Sequence, residues 1–123
     1  MAWLIEISQE SRQDIKDILT YTLQNFGEEA RIRYNALIDQ SLDDIAGDLD
    51  FSKAKIQTIR GTDFLTYHLK SSKDKARVQS GIVKHPRHIV FYLKKSENTL
   101  NIVRVLHERR DFPRHLGSDE DGE

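Results

Sequence analysis

One glycine, Gly27, separates two runs of apolar residues that each recur at helical spacing. Upstream, Ile15, Ile18, Leu19, Thr22 and Phe26, all apolar but the threonine, fall on one face of a helix. Downstream, Ala30, Tyr34, Leu37, Ile38, Leu42 and Ile45 do the same, and Gly47 with Asp48 ends the run. Ser8 or Ser11 offers an N-cap for the first helix, and Ser11 with Asp14 three residues later resembles a capping box. Glu28 and Glu29 suit the first turn of the second helix, where the macrodipole favours negative charge. So short a link makes the pair an antiparallel helical hairpin, and both stripes then need a surface to cover.

The rest of the chain supplies a sheet. Residues 3–7 (WLIEI) read as a strand near the sheet centre, because the apolar run is broken by only one glutamate. Residues 51–63 are irregular and read as loop. FLTYHLK, residues 64–70, alternates Leu65, Tyr67 and Leu69 with Thr66 and His68, as a half-buried strand does. KSSKDKARVQSG, residues 70–81, is polar and reads as a mobile connection. A strand follows within 82–95, centred on the apolar run Ile89 to Leu93; SENT offers a reversal, and residues 100–106 form the last strand. Strands joined so tightly pair antiparallel. The predicted class is α+β: an N-terminal strand and a two-helix hairpin packed on a mainly antiparallel sheet, completed by a C-terminal three-strand meander. Residues 1–116 are expected to form one domain, and the acidic GSDEDGE at 117–123, with nothing to bury, a disordered tail.

Cysteine is absent, which excludes disulfides and thiolate metal sites and fits a reducing compartment. No long apolar run or basic leader is visible, so a soluble cytoplasmic protein is expected. The formal charge of −1 conceals an asymmetry. Residues 1–50 carry four Lys/Arg against eleven Asp/Glu, whereas residues 51–116 carry fifteen against five. One acidic and one basic face are implied, the latter suited to an acidic partner or nucleic acid.

No phosphate-binding loop, nucleophile elbow or His-Glu-x-x-His motif is present, and no cofactor is expected. The adjacent acids Asp43 and Asp44 read as decoration of a solvated helix face. HPRH at 85–88 invites a metal reading, but residues three apart on an extended chain point to opposite faces and no carboxylate or cysteine lies nearby. His68 reads as an exposed or hydrogen-bonded strand residue. From Lys70 to Lys95 eight cations are interrupted, between those ends, by Asp74 alone, a density that suits either phosphate contacts or a plain solvated surface. More informative is VRVLHERRDFPRHL, residues 103–116. Arg104 inside a strand must face solvent or an acceptor, since burying it unpaired is costly. Phe112 and Leu116 can anchor the segment, with Pro113 restraining it and Asp111 available to pair with a neighbour.

The opening WLIEIS, the DIKDILTYTLQNFGEEA hairpin with Tyr21 and Gly27, PRHIVFY at 86–92 and IVRVLHERRDFPRHL at 102–116 together resemble the ParE branch of the RelE/ParE toxins of type II toxin-antitoxin systems. The combination of PRHIVFY with R-x-L-H-x-x-x-D-x-x-x-H-L is more specific than either piece. The resemblance implies a non-enzymatic toxin that interferes with DNA gyrase and is neutralised by a cognate antitoxin, in a toxin–antitoxin hetero-oligomer. It implies target binding by Arg104, His107, Arg109, Arg110, Arg114 and His115. An acidic antitoxin segment along the basic half would meet Lys84, Arg87 and Lys94. The runner-up is a RelE-like ribosome-dependent mRNA endonuclease, with His107 or His115 as base and Arg104 or Arg109 stabilising the transition state. The tail after the last strand lacks the tyrosine on which several such nucleases rely. An inert binding module is a third reading.

Overall fold

A computed structural model describes residues 2–110 and 112–116; the expectations for Asp111 and for the acidic tail fall outside them. The chain runs β1 (Leu4–Ile7), α1 (Gln9–Phe26), α2 (Glu28–Gly47), β2 (Lys55–Ile59), β3 (Thr62–His68), a 3-10 helix (Leu69–Lys75), β4 (His88–Lys94), β5 (Thr99–His107) and α3 (Phe112–His115). The expected hairpin is present, with Gly27 at φ +96°, a left-handed conformation that a side chain resists. Ser8 is the N-cap: its hydroxyl oxygen accepts from the Ser11 backbone N–H at 3.0 Å. Ser11 lies inside the helix and is fully buried, so it does not form a capping box with Asp14.

The five strands are ordered β1-β5-β4-β3-β2, with β1 parallel to β5 and every other pair antiparallel. This corrects the expectation for WLIEI: β1 is an edge strand. Ile5 and Ile7 pack against the helix-side core, Trp3 just before the strand stacks on Phe51 at 5.3 Å with its indole N–H donating to the Asp48 carbonyl, and Leu4 stays exposed.

Residues 51–63 are loop only at 51–54 and at a tight turn; the rest is strand. β2 and β3 pair from Lys55↔Thr66 to Ile59↔Thr62, around a two-residue turn in which Arg60 and Gly61 take φ +52° and +84°. Two positive φ values are what a type I′ hairpin turn demands. Arginine in place of the usual Asn or Asp concealed it. The supposed mobile connection is packed at its start. Leu69 and Ser72 of the 3-10 helix are fully buried, Tyr67 donates to Ser72 Oγ at 2.6 Å, and Ser72 donates in turn to Asp44. Asp44 also binds Lys75 at 2.7 Å and accepts from Gln40, so it is a tertiary contact and not surface decoration.

The helices cover one face of the sheet, where Leu37, Ile38 and Ile45 meet Val90, Tyr92, Leu100 and Ile102. Phe26 is the exception in the predicted stripe, being 69% exposed. Across the sheet a smaller core of Ile59, Phe64, Phe91 and Leu106 is closed by Leu116, with Phe112 against Phe91 at 4.8 Å. The expected anchors of the closing segment therefore hold, and they add cover on the face opposite the helices.

β1 pairs with β5 only through Ile102. Beyond it, side chains from the start of α1 take the place of a strand. Ser8 and Ser11 donate to the carbonyls of Val103 and Ile102, and Asp14 accepts from the Val105 N–H at 2.9 Å. Backbone groups on a half-covered sheet edge need such partners, which is why three short polar residues recur at i, i+3 and i+6 here.

Candidate functional site

The β4–β5 register places His88 opposite His107, with the rings edge to face at 5.3 Å. Tyr34 of α2 orders this pair. Its hydroxyl accepts from the Arg87 backbone N–H at 3.1 Å and sits 2.6 Å from His88 Nδ1, so the arrangement that satisfies all three groups has Tyr34 donating to a neutral imidazole. Burial and the neighbouring His107 push His88 down to about 4, and burial pushes the Tyr34 hydroxyl up to about 12. His107 Nδ1 accepts from the Arg109 backbone N–H at 3.1 Å, which fixes the turn after β5.

Glu108 is the hinge of a second network. Its backbone N–H donates to the Arg87 carbonyl at 2.8 Å, and its carboxylate accepts from His68 Nε2 at 2.8 Å and from the Arg87 guanidinium at 3.1 Å. Those side-chain hydrogen bonds from His68 and then Arg87 hold its carboxyl down at about 2. Lys70 N–H donates to His68 Nδ1 at 3.0 Å, which leaves Nε2 as the protonated nitrogen facing Glu108. His68 is thus a hydrogen-bonded strand residue.

The six arginines and histidines that the sequence singled out do not form one surface. His107, Arg109 and Arg110 come together, lining a cavity of about 570 Å³ with Tyr21, Asp17 and His88. Arg114 is exposed on α3, and His115 Nε2 lies 3.5 Å from the Arg110 guanidinium. Arg104 is placed otherwise. Its guanidinium grips Asp14 with two bonds of 2.8 and 2.9 Å and donates a third to the His115 carbonyl at 3.1 Å. With 21% of its side chain exposed, it ties α1, β5 and α3 together and presents little to a target.

Lys84 and Arg87 line a larger groove of about 970 Å³, between the α1–α2 junction and residues 77–88. Lys94 does not: it lies at the far end of β4 over the Trp3 ring, 5.7 Å from its centroid. The sequence reading missed Tyr34, Glu108 and the exposed Tyr21–Phe26 pair as parts of the site. The available signal was a large aromatic, Phe26, closing the apolar stripe beside Gly27, with Tyr21 just off that stripe; periodicity alone assigns Phe26 to the core.

Among the described residues, no three His, Cys, Asp or Glu side chains come together as metal ligands would, and no helix is long and apolar enough to cross a membrane. The arrangement offers a cationic, partly aromatic concavity that can bind an anionic partner. No curated protein matches the chain. The family model described as ParE toxin of type II toxin-antitoxin system, parDE, matches residues 5–112, which span α1, α2, all of β2 to β5, β1 from its second residue and the cationic turn after β5. The chain therefore belongs to the ParE toxin family of type II toxin-antitoxin systems.

Proposed function

We propose that this toxin arrests growth by interfering with DNA gyrase as a protein inhibitor, acting in the cytoplasm without making or breaking covalent bonds in its target. Residues 1–116 form the toxin domain. His107, Arg109, Arg110, Arg114 and His115 are the target-facing residues, with Arg104 holding their scaffold. The observation that carries the reading is the cationic cluster behind β5: it stands at the end of a strand pinned along its edge by Asp14 and covered on one face by Phe112 and Leu116. Planar guanidinium groups in a fixed setting suit carboxylate or phosphate groups on a large partner. A cognate antitoxin, the partner that membership of this family implies, neutralises the toxin within a hetero-oligomer.

One observation favours a ribosome-dependent endonuclease as the second reading. A general base must be unprotonated, and His88 is held neutral beside His107 and the cations Arg87 and Arg109. Its Nδ1 is already occupied by Tyr34, however, which supports a structural part for that nitrogen.

The deciding assay pairs gyrase supercoiling with mRNA cleavage on ribosomes, using the same purified toxin. Loss of supercoiling or accumulation of gyrase-cleaved DNA is expected, with transcripts intact. Transcript cleavage with unaffected gyrase would overturn the proposal, and a rate lowered about 100-fold or more by either His88→Asn or His107→Ala would then identify the base.

A further inference from the structure

The match to the toxin family ends at residue 112, and residues 113–123 lie beyond it. Pro113 to Leu116 finish α3 and seal the smaller core; the remaining seven residues, GSDEDGE, carry four carboxylates and no cation. The chain just before that acidic run is fixed among arginines. Leu116 is 2% exposed, and its N–H donates to the Phe112 carbonyl at 2.9 Å. The Pro113 carbonyl accepts from Arg60 Nε and the His115 carbonyl from Arg104, both at 3.1 Å, while His115 Nε2 lies 3.5 Å from the Arg110 guanidinium.

Arg109, Arg110 and Arg114 are exposed, and among the described residues none of them is paired with a carboxylate. Arg31, Arg87 and Arg104, by contrast, each hold one. Asp17, the acid lining the cavity that Arg109 and Arg110 share with His107, accepts instead from the Gln13 amide at 2.8 Å. Cations in need of an anion thus stand beside the root of an anionic run.

We propose that the chain's own acidic end, Asp119 to Glu123, docks on Arg109, Arg110 and Arg114 and competes there with any anionic target. The consequence for activity rests on the toxin reading: the end acts as an internal brake on the target-facing cations. Length permits the contact. Asp119 lies about 10 Å of extended chain past Leu116, and the whole run spans about 24 Å at most. A tether this short holds its carboxylates at an effective concentration in the millimolar range. Exposed ion pairs are weak singly and screened by salt, but four carboxylates facing three guanidiniums act together. The run has no apolar side chain to seat against Tyr21 and Phe26, so charge confines the contact to the cations.

Because the chain has no cysteine, Gly122→Cys gives a single site for a nitroxide spin label on the full-length protein. At low salt the label should broaden the NMR signals of His107, Arg109 and Arg110, and about 1 M NaCl should relieve them. Broadening centred on Arg60 and Gly61 overturns the proposal. So does broadening of the cluster that survives Asp119→Asn, Glu120→Gln, Asp121→Asn and Glu123→Gln combined, because it then reflects the tether alone. Competition is read by titrating that fourfold variant with a fluorescent hexaglutamate peptide, which needs no gyrase. An end docked about nine-tenths of the time lowers the affinity of a competing anion about tenfold, so the variant should bind the peptide about tenfold tighter. Arg109→Ala with Arg110→Ala should abolish the gain. Affinity within twofold of wild type overturns the brake, as does a gain that persists without both arginines. The fourfold variant should also inhibit gyrase at about one-tenth of the wild-type concentration, and equal potency counts against the brake. A tighter peptide complex with gyrase untouched by either protein sinks the gyrase reading and supports the docked end.

Discussion

His88 makes the stability of this toxin depend on pH over a defined window. In the unfolded chain its imidazole titrates near 6.5; in the folded protein burial and the neighbouring His107 lower this to about 4. Above pH 6.5 both states hold a neutral ring and the group contributes its full stabilisation. As the pH falls from 6.5 towards 4 the unfolded chain takes up a proton that the native site refuses, and the contribution is lost. The drop from 6.5 to about 4, at ~1.4 kcal/mol per pH unit, sets a ceiling of about 3 kcal/mol, and about 2.5 kcal/mol of it should vanish between pH 7.5 and 4.5. His88→Asn removes the titrating group and keeps an acceptor for the Tyr34 hydroxyl. Urea denaturation of both proteins across that range gives the answer. The stability difference, wild type minus variant, should fall with a slope approaching 1.4 kcal/mol per pH unit near pH 5. Losses common to both proteins cancel in the subtraction, including that of Glu108, whose contribution disappears as the pH falls from 4.5 towards 2. Parallel curves would refute the claim that His88 is held neutral by its surroundings.

Three further outcomes are expected. Asp14→Ala should cost about 2–3 kcal/mol in urea melts, more than Arg104→Ala, because it also strands the Val105 N–H on the sheet edge; the double variant should be sub-additive by about 1 kcal/mol, and strict additivity would refute the coupling. Gly27→Ala should lower stability by about 1 kcal/mol through left-handed strain alone, since beyond its immediate chain neighbours nothing lies within 4 Å of the added Cβ, and an unchanged melting midpoint would contradict this. Arg109→Ala with Arg110→Ala should weaken gyrase inhibition at least about tenfold while leaving the melting temperature nearly untouched, because both side chains are exposed; full potency would remove them from the target surface.

Membership of the toxin family and a helix-plus-sheet architecture are visible in the chain because they depend on patterns a few residues long. Gly27 between two 3.6-period stripes dictates the hairpin wherever it docks, and the apolar runs at 89–93 and 100–106 form strands whatever their neighbours. Phe112 and Leu116 are anchors for the same reason, being apolar side chains in an otherwise charged segment. Tertiary structure alone decided which strand is an edge, that residues 55–59 join the sheet and that Ser72 closes a buried network with Tyr67 and Asp44. It also divided the cations that the sequence groups together. Arg104 is bound to a carboxylate ninety positions away, Lys94 rests on Trp3 at the other end of β4, and His107, Arg109 and Arg110 meet Tyr21 at one concavity. The physical reason is range. Periodicity reports on each element's own dihedrals and burial, whereas the partner of a charge and the neighbour of a strand are settled by contacts between segments distant in the chain, where desolvation and geometry select one pairing from many.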